Sequence, residues 1–513
     1  MEDRAAATGA HDAGGESVRR SALFSGAVQV AGIVLTSILT LFLVRSLGRA
    51  DYGRYAIVLA VGAIVLLPSD LGISTSTGRS LAESFGDAMR IRLVLGVALR
   101  LKIVLSLATG AAIAALAPVI ADGYGDRALV LPLRLMGLAI AAHAMFAFVS
   151  ASFTALRQMQ WVFRIVTLES VVETTTAIAL VLAGAGVAGA VAGRAAGYGL
   201  GAAIGLLALL ARHGGPRGVI RERFDRGLAR RLALYAGAVA VVDVIWAILS
   251  QIDVLIIGAL LTPTAVASFQ APSRLLSLAT YPGLALSYAV GPRLARRDVT
   301  GAAMVRTLST TARMLVVVQG VAAAATIVFA QPIVAIALGG SYEHTSAESV
   351  LRCLAPYVAL SGLAPLFSNA IDYVGGARRR IWIAAATLGV NVTLNLVLLP
   401  LIGPVGAAVA LDVGYCLFVG GHVLLAGRLL DVELRPLGAT AVRTALAAAG
   451  MIMVAYVLGW AVPGVPGIAL GVVTGVAAFA AILLSDPTER RLVADGARIL
   501  LSRGAQGSPA AGR

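Results

Sequence analysis

Gln270, Arg274, Ser277 and Tyr281 stand at i, i+4, i+7 and i+11, a spacing that puts all four on one face of an α-helix. An arginine on such a stripe is a fork for phosphate or carboxylate oxygens, and the amide, hydroxyl and phenol beside it add hydrogen bonds. Upstream, Asp243, Trp246, Ser250 and Asp253 recur at i, i+3, i+7 and i+10. That face is acidic and aromatic, fit either to hold a coupling cation or sugar hydroxyls, or to neutralise an arginine of its own bundle. Asp70 follows Pro68, a residue that kinks a helix. Arg100 and Lys102 are two residues apart, about 200° of helix, so at most one can face a given cavity. Glu169 and Glu173, one turn apart, form an acidic face that could relay protons or pair with Arg157 or Arg164. Arg45, Arg49 and Arg54 suggest a basic rim, whereas His143 and His422 read as neutral packing. Arg134, Arg194 and Arg352 are placed near span ends, where a long side chain snorkels at little cost.

None of this is the equipment of a catalyst. GAGVAG at 184–189 fits a dinucleotide-binding pattern by letter, but it has no strand before it and no acidic residue about 20 positions later. The chain carries no HExxH, Walker A, GxSxG or CxxC motif, so no catalytic residue, metal or cofactor is expected. Cys353 and Cys416 match no metal or redox spacing.

The elements that must position these residues are membrane spans. Of 513 residues 59% are hydrophobic and 13% charged, with a mean hydropathy of +0.89, whereas soluble domains are about 25% charged. Runs long enough for the ~20 residues that cross hydrocarbon lie near 23–44, 55–77, 93–117, 128–151, 161–183, 187–211, 232–258, 265–290, 312–337, 351–373, 381–400, 405–427, 440–461 and 465–484. Each must be helical, because lipid offers no partner to an unpaired amide. The expected fold is all-α, with about 14 transmembrane helices.

Charge then orients them. Every basic residue except Lys102 is arginine; of the 41, 31 fall on the side shared by both termini, four on the other, and six in or beside spans. By the positive-inside rule both ends lie in the cytoplasm. The net charge of +15 is therefore chiefly topology and attraction to the phospholipid membrane, and no nucleic-acid partner is expected. Residues 1–18 lack the apolar core of a signal peptide.

The longest basic loop, 212–231, follows six spans. A shift of 218 residues brings Leu133-Arg134 onto Leu351-Arg352, lays 187–199 on 405–417, and pairs Arg194 with Asp412. The expected organisation is a cytosolic tail (1–20), a six-helix lobe (21–211), a basic linker (212–231), a second six-helix lobe (232–428), a two-helix hairpin (440–484) and a tail (485–513). The lobes would be parallel repeats about a pseudo-two-fold axis, with the substrate site in the cleft between the two bundles.

RSLGRADYGRYAIVLAVGAIVLLPSDLGI (45–73) resembles the first hairpin of the bacterial polysaccharide transporter family, with its LG...YG.Y loop and following D-L-G. IDVLIIGALLTPTAVASFQAPSRLLSL (252–278) is similar to its seventh and eighth spans, and GPVGAAVAL (403–411) to its small-residue twelfth. The loop LLTPTAVASF lacks the glycine and tyrosine usual there. The resemblance implies a flippase of the multidrug/oligosaccharidyl-lipid/polysaccharide (MOP) superfamily in the bacterial plasma membrane. It would move an undecaprenyl-diphosphate-linked oligosaccharide to the outer leaflet by alternating access, for O-antigen, exopolysaccharide or capsule. Partners would be a coupling ion (H+ or Na+), a polysaccharide polymerase and glycosyltransferases. Arg274 would contact the diphosphate, with Arg45 and one of Arg100 and Lys102 as further candidates, Gln270 beside them, and Asp70, Asp243 and Asp253 for sugar or cation. A lipid II flippase, a cation-coupled multidrug antiporter and a non-transporting scaffold of a polysaccharide synthase are the alternatives.

Overall fold

The computed structural model describes residues 34–220, 224–294, 301–374, 376–461 and 465–494, together with 32 and 222. Among them the regular structure is helical throughout. In chain order the helices are α1 (Val34–Ser46), α2 (Gly48–Asp70), α3 (Ile73–Glu83), α4 (Ala88–Gly123), α5 (Val130–Ala155), α6 (Met159–Leu180), α7 (Gly186–Arg212), α8 (Gly215–Ile220), α9 (Arg226–Leu260) and α10 (Pro263–Leu294). They continue with α11 (Gly301–Val328), α12 (Ala330–Ile333), α13 (Ala347–Cys353), α14 (Ala355–Leu360), α15 (Leu363–Tyr373), α16 (Ala377–Ile402), α17 (Pro404–Leu430), α18 (Leu434–Ala461), α19 (Val465–Leu484) and α20 (Pro487–Ala494).

Among the described residues nine helices are long and apolar enough to cross a membrane, or ten with the bent α19–α20 pair. One of the nine, Met159–Arg212, runs 54 residues, about 80 Å as one helix against about 30 Å of hydrocarbon. It folds back on itself. Gly184 (φ 88°) and Gly186 (φ 51°) turn the chain, a backbone that favours glycine. An added side-chain carbon at Gly193 would lie 2.5 Å from the Ala177 amide, and one at Gly197 2.8 Å from the Glu169 carbonyl. The two helices are thus antiparallel and in backbone contact, as small residues permit in membranes. The first expected span, 23–44, begins outside the described residues.

Hydropathy reads apolar runs as single helices, and the structure breaks several. The 55–77 run is interrupted at Leu71 and Gly72, both at positive φ, three residues after Pro68. The 351–373 run becomes α13, α14 and α15, and Pro356 opens α14.

The described chain divides into two compact units, 1–267 and 268–513. The first core packs Leu95, Val97, Phe148, Phe153 and Leu209 with Ala229 and Leu232 from the start of α9. The seventh apolar run, which the sequence groups with the second lobe, therefore packs against α2, α3 and α4 of the first unit. A second core holds Leu308, Leu315, Phe367 and Phe418, and α18–α19 close on Ala324 through Met451 and Phe479. The opposite faces, such as Val104, Leu107 and Val119 of α4, are exposed, which is what a lipid-facing surface requires. The chain is an all-α, multi-pass membrane protein.

Candidate functional site

The break between α2 and α3 frees Asp70 from the helix surface. Its Oδ1 accepts from the Ser74 hydroxyl at 2.6 Å and the Ser74 amide at 3.3 Å, which ties the start of α3 back to α2. Lys102 of α4, fully buried, completes the arrangement with an ion pair to the same carboxylate. Arg100 points elsewhere: its guanidinium donates to the Glu222 carbonyl at 2.6 Å. A buried ion pair repays its desolvation only with well-placed hydrogen bonds, and Ser74 supplies them.

Asp70 also lines a cavity of about 190 Å³ with Ser69, His143, Ala147 and Val244. His143 Nδ1 is buried without a hydrogen-bond partner, and its ring stands edge-on to Tyr198 at 4.4 Å. The Tyr198 phenol accepts from Arg194 at 3.3 Å, and Arg194 pairs with Glu173 at 3.2 Å. Glu169, one turn back, is buried and accepts from the Ser170 hydroxyl at 3.0 Å. Four helices, α2, α4, α5 and α7, with the acidic face of α6, thus bring ionisable groups together at membrane depth. Such groups are costly in hydrocarbon and persist where they pair or face water. This column can hold charge, pass a proton or position a polar headgroup.

In the second unit the polar stripe lies on α10. With the Gln270 amide oxygen turned towards Arg274, it accepts from Nε at 3.0 Å and from the second guanidinium nitrogen at 3.3 Å. The Ser277 hydroxyl donates to the Arg274 carbonyl at 2.6 Å, and Tyr281 is exposed. Arg274 is exposed and has no carboxylate partner among the described residues. Gln270 therefore orients the guanidinium without neutralising it.

Asp253 is buried on α9, and Arg45 is exposed at the end of α1. The side chains of Asp243 and Trp246 lie outside the described residues. The basic rim is partly spent: Arg54 pairs with Asp51 and with Asp126, both at 2.7 Å. Glu173 takes neither of the arginines weighed for it in the sequence but Arg194, which snorkelling had set aside. Arg157 and Arg164 instead lie over the rings of Phe85 and Trp161. His143 lines the cavity, a role that no spacing signalled. His422 fits the packing reading: buried, it accepts from Arg380 at 3.0 Å, and its other ring nitrogen lies 2.7 Å from the Phe418 carbonyl. Among the described residues no three metal-ligating side chains cluster.

A sequence model for a family described as polysaccharide biosynthesis protein matches residues 42–347, more than half of the chain. Comparison with curated proteins gives no match. The fold is similar to that of the lipid II flippase MurJ in an inward closed conformation, at 13% identity, covering 92% of this chain and 99% of that one, with a TM-score of 0.72. An inward-facing multidrug resistance MATE transporter of the MOP superfamily aligns at 16% identity over 77% of this chain and 94% of its own, with a TM-score of 0.61. A MOP superfamily transporter from Pyrococcus furiosus aligns at 17% identity over 81% and 95%, with a TM-score of 0.52. The match over residues 42–347, together with this fold, gives the assignment: the chain belongs to the polysaccharide biosynthesis protein family and is built on the fold of MOP superfamily transporters.

Proposed function

We propose that this protein is a flippase that carries a lipid-diphosphate-linked oligosaccharide from the inner to the outer leaflet of the bacterial plasma membrane by alternating access, in the synthesis of a surface polysaccharide. The single observation that carries this reading is Arg274, an exposed arginine inside the apolar run 265–290, oriented by Gln270 and with no carboxylate partner among the described residues. An arginine there costs about 2.5–3.5 kcal/mol on insertion scales. A diphosphate, a polyanion that must cross about 30 Å of hydrocarbon, is the cargo for which that cost has a use.

The architecture proposed is fourteen spans with both termini in the cytoplasm, and two six-helix bundles as parallel repeats. The apolar runs, the arginine asymmetry and the 218-residue self-similarity support it. Lipid tails would stay in the bilayer, so only the headgroup needs a polar path. Arg45 is a secondary anion contact. Asp70, held by Lys102, is better suited to positioning than to binding a free cation. Asp243 and Asp253 remain the candidates for sugar or for a coupling ion, H+ or Na+. Glycosyltransferases and a polymerase would supply and consume the lipid-linked sugar.

The test is Arg274→Ala at unchanged protein level. Surface polysaccharide should fall at least tenfold, and Arg274→Lys, which keeps the charge and loses the fork, should recover part of it. Normal export by the alanine variant would remove the diphosphate role.

A further inference from the structure

A cavity of about 350 Å³ lies at one end of the first unit, where α3 stops and α4 and α9 begin. It is remote in sequence from Arg274 and plays no part in the reading above. Its lining combines Arg90 and Arg231 with Ser76 and Ser80 over an apolar floor of Leu93 and Leu232. The carboxylates at its edge are already engaged. Asp225 accepts from the Gly227 and Leu228 amides at 2.7 and 3.1 Å, capping α9, and Glu83 pairs with Arg79 at 2.8 Å. Arg90 and Arg231, from two different helices, are left without a carboxylate partner among the described residues. Ser76 is only 3% exposed, yet its hydroxyl makes no hydrogen bond among the described residues and lines the cavity. Ser80 follows it one turn along α3.

We propose that this cavity binds the phosphate group of a membrane lipid. Two guanidinium groups offer charge-assisted donors, the two hydroxyls complete a ring of donors, and the leucine floor accepts the first carbons beyond the phosphate ester. A soluble anion would gain nothing from that floor. Asp87 caps α4 by accepting from the Met89 and Arg90 amides at 3.1 and 3.0 Å, which fixes the start of the helix that carries Arg90. The site depends on neither the identity nor the direction of the transported substrate.

The test uses the full-length protein in detergent, with binding followed by native mass spectrometry. The probes are phosphatidylglycerol, undecaprenyl diphosphate, phosphatidylcholine and inorganic phosphate. The anionic lipids should bind, and the double variant R90A/R231A should weaken them at least tenfold, a charge-assisted contact being worth about tenfold on its own. R491A, which removes a charge from α20, should leave binding unchanged. S80L fills the cavity without altering charge and should also abolish binding, which guards against a folding defect in the arginine variant. Equal binding of both anionic lipids would make this a site for the leaflet's own lipids, and preference for the diphosphate would make it a loading site; either supports the proposal. Wild-type lipid binding in R90A/R231A and S80L, or binding of inorganic phosphate alone, would overturn it.

Discussion

The hairpins α6–α7 and α16–α17 solve one backbone problem in the same way and then carry opposite chemistry. Each joins two long apolar helices through a glycine at the start of the second helix, Gly186 at φ 51°, ψ −136° and Gly403 at φ 62°, ψ −147°. Past that turn they diverge. In the first, Glu169, Glu173, Arg194 and Tyr198 form a charged network running between the helices. In the second, neutral amides stand at the facing positions: the Asn395 amide donates to the Asn391 carbonyl at 3.0 Å and to its side-chain oxygen at 3.2 Å. The lone acid, Asp412, accepts from the Tyr357 amide at 3.0 Å, where α14 has just begun. One fold element thus serves as a charge carrier in one unit and as a brace for a broken helix in the other. The turn is set by backbone sterics, and the cargo of polar groups is free to vary.

The two hairpins differ most at Glu173. Glu173→Ala removes the carboxylate paired with Arg194, which is 31% exposed, and stability should fall by about 2–3 kcal/mol, somewhat less than for a fully buried charge that loses its partner. The double variant E173L/R194M should recover most of that loss, because an apolar pair avoids the desolvation of both charges. Unfolding in detergent measures both, and a double variant as unstable as the single one would show that the network holds the hairpin together. At Asn391 in the second hairpin alanine should cost far less, since a membrane hydrogen bond averages about 0.6 kcal/mol.

The turn itself should make the hairpins equal. Gly186→Ala and Gly403→Ala each force a side chain into a conformation that costs about 1–3 kcal/mol, and nothing else approaches within 4 Å of either position. Matching losses in Tm would support a shared turn, whereas a difference of more than about 1 kcal/mol, beyond ordinary additivity error, would show that the polar groups feed back on the backbone.

How much of this could be read from the sequence depends on which force decides. Lipid leaves an apolar run no alternative to helix, so the course of α4, α5, α7 and α17 was legible. The breaks at Leu71–Gly72 and Leu354 were not, because hydropathy does not register a positive φ or a lost amide. Pairings across helices were equally hidden. Lys102 lies 32 residues from Asp70 and Arg194 lies 21 from Glu173, separations with no periodicity to announce them. The Gln270–Arg274 contact, by contrast, is an i, i+4 pair, and one helix suffices to foresee it.

Asp412 sharpens the contrast more gently. Asp412→Ala leaves the Tyr357 amide without its acceptor, which should cost about 0.5–2 kcal/mol, whereas Asp412→Asn keeps an oxygen there and should cost little. If asparagine proves as damaging as alanine, the residue's charge matters as much as its acceptor, and the second hairpin is closer in kind to the first.

The smallest expected effect lies where the hairpins end. α17 stops at Asp431 in a left-handed conformation (φ 52°), while α7 stops at His213, whose Nε2 is buried without a partner. Partial burial, reinforced by Arg212 and Arg92, holds His213 below its ordinary value of 6.5. A lowered histidine binds its proton more readily in the unfolded chain. Its contribution to stability is therefore complete above about pH 6.5 and is lost as pH falls through the folded value. His213→Asn should flatten that part of the stability profile between pH 7 and pH 5 and leave the neutral-pH value nearly unchanged. An unchanged slope in the His213 variant would move the pH sensitivity away from the end of α7 and into the charged network of the hairpin itself.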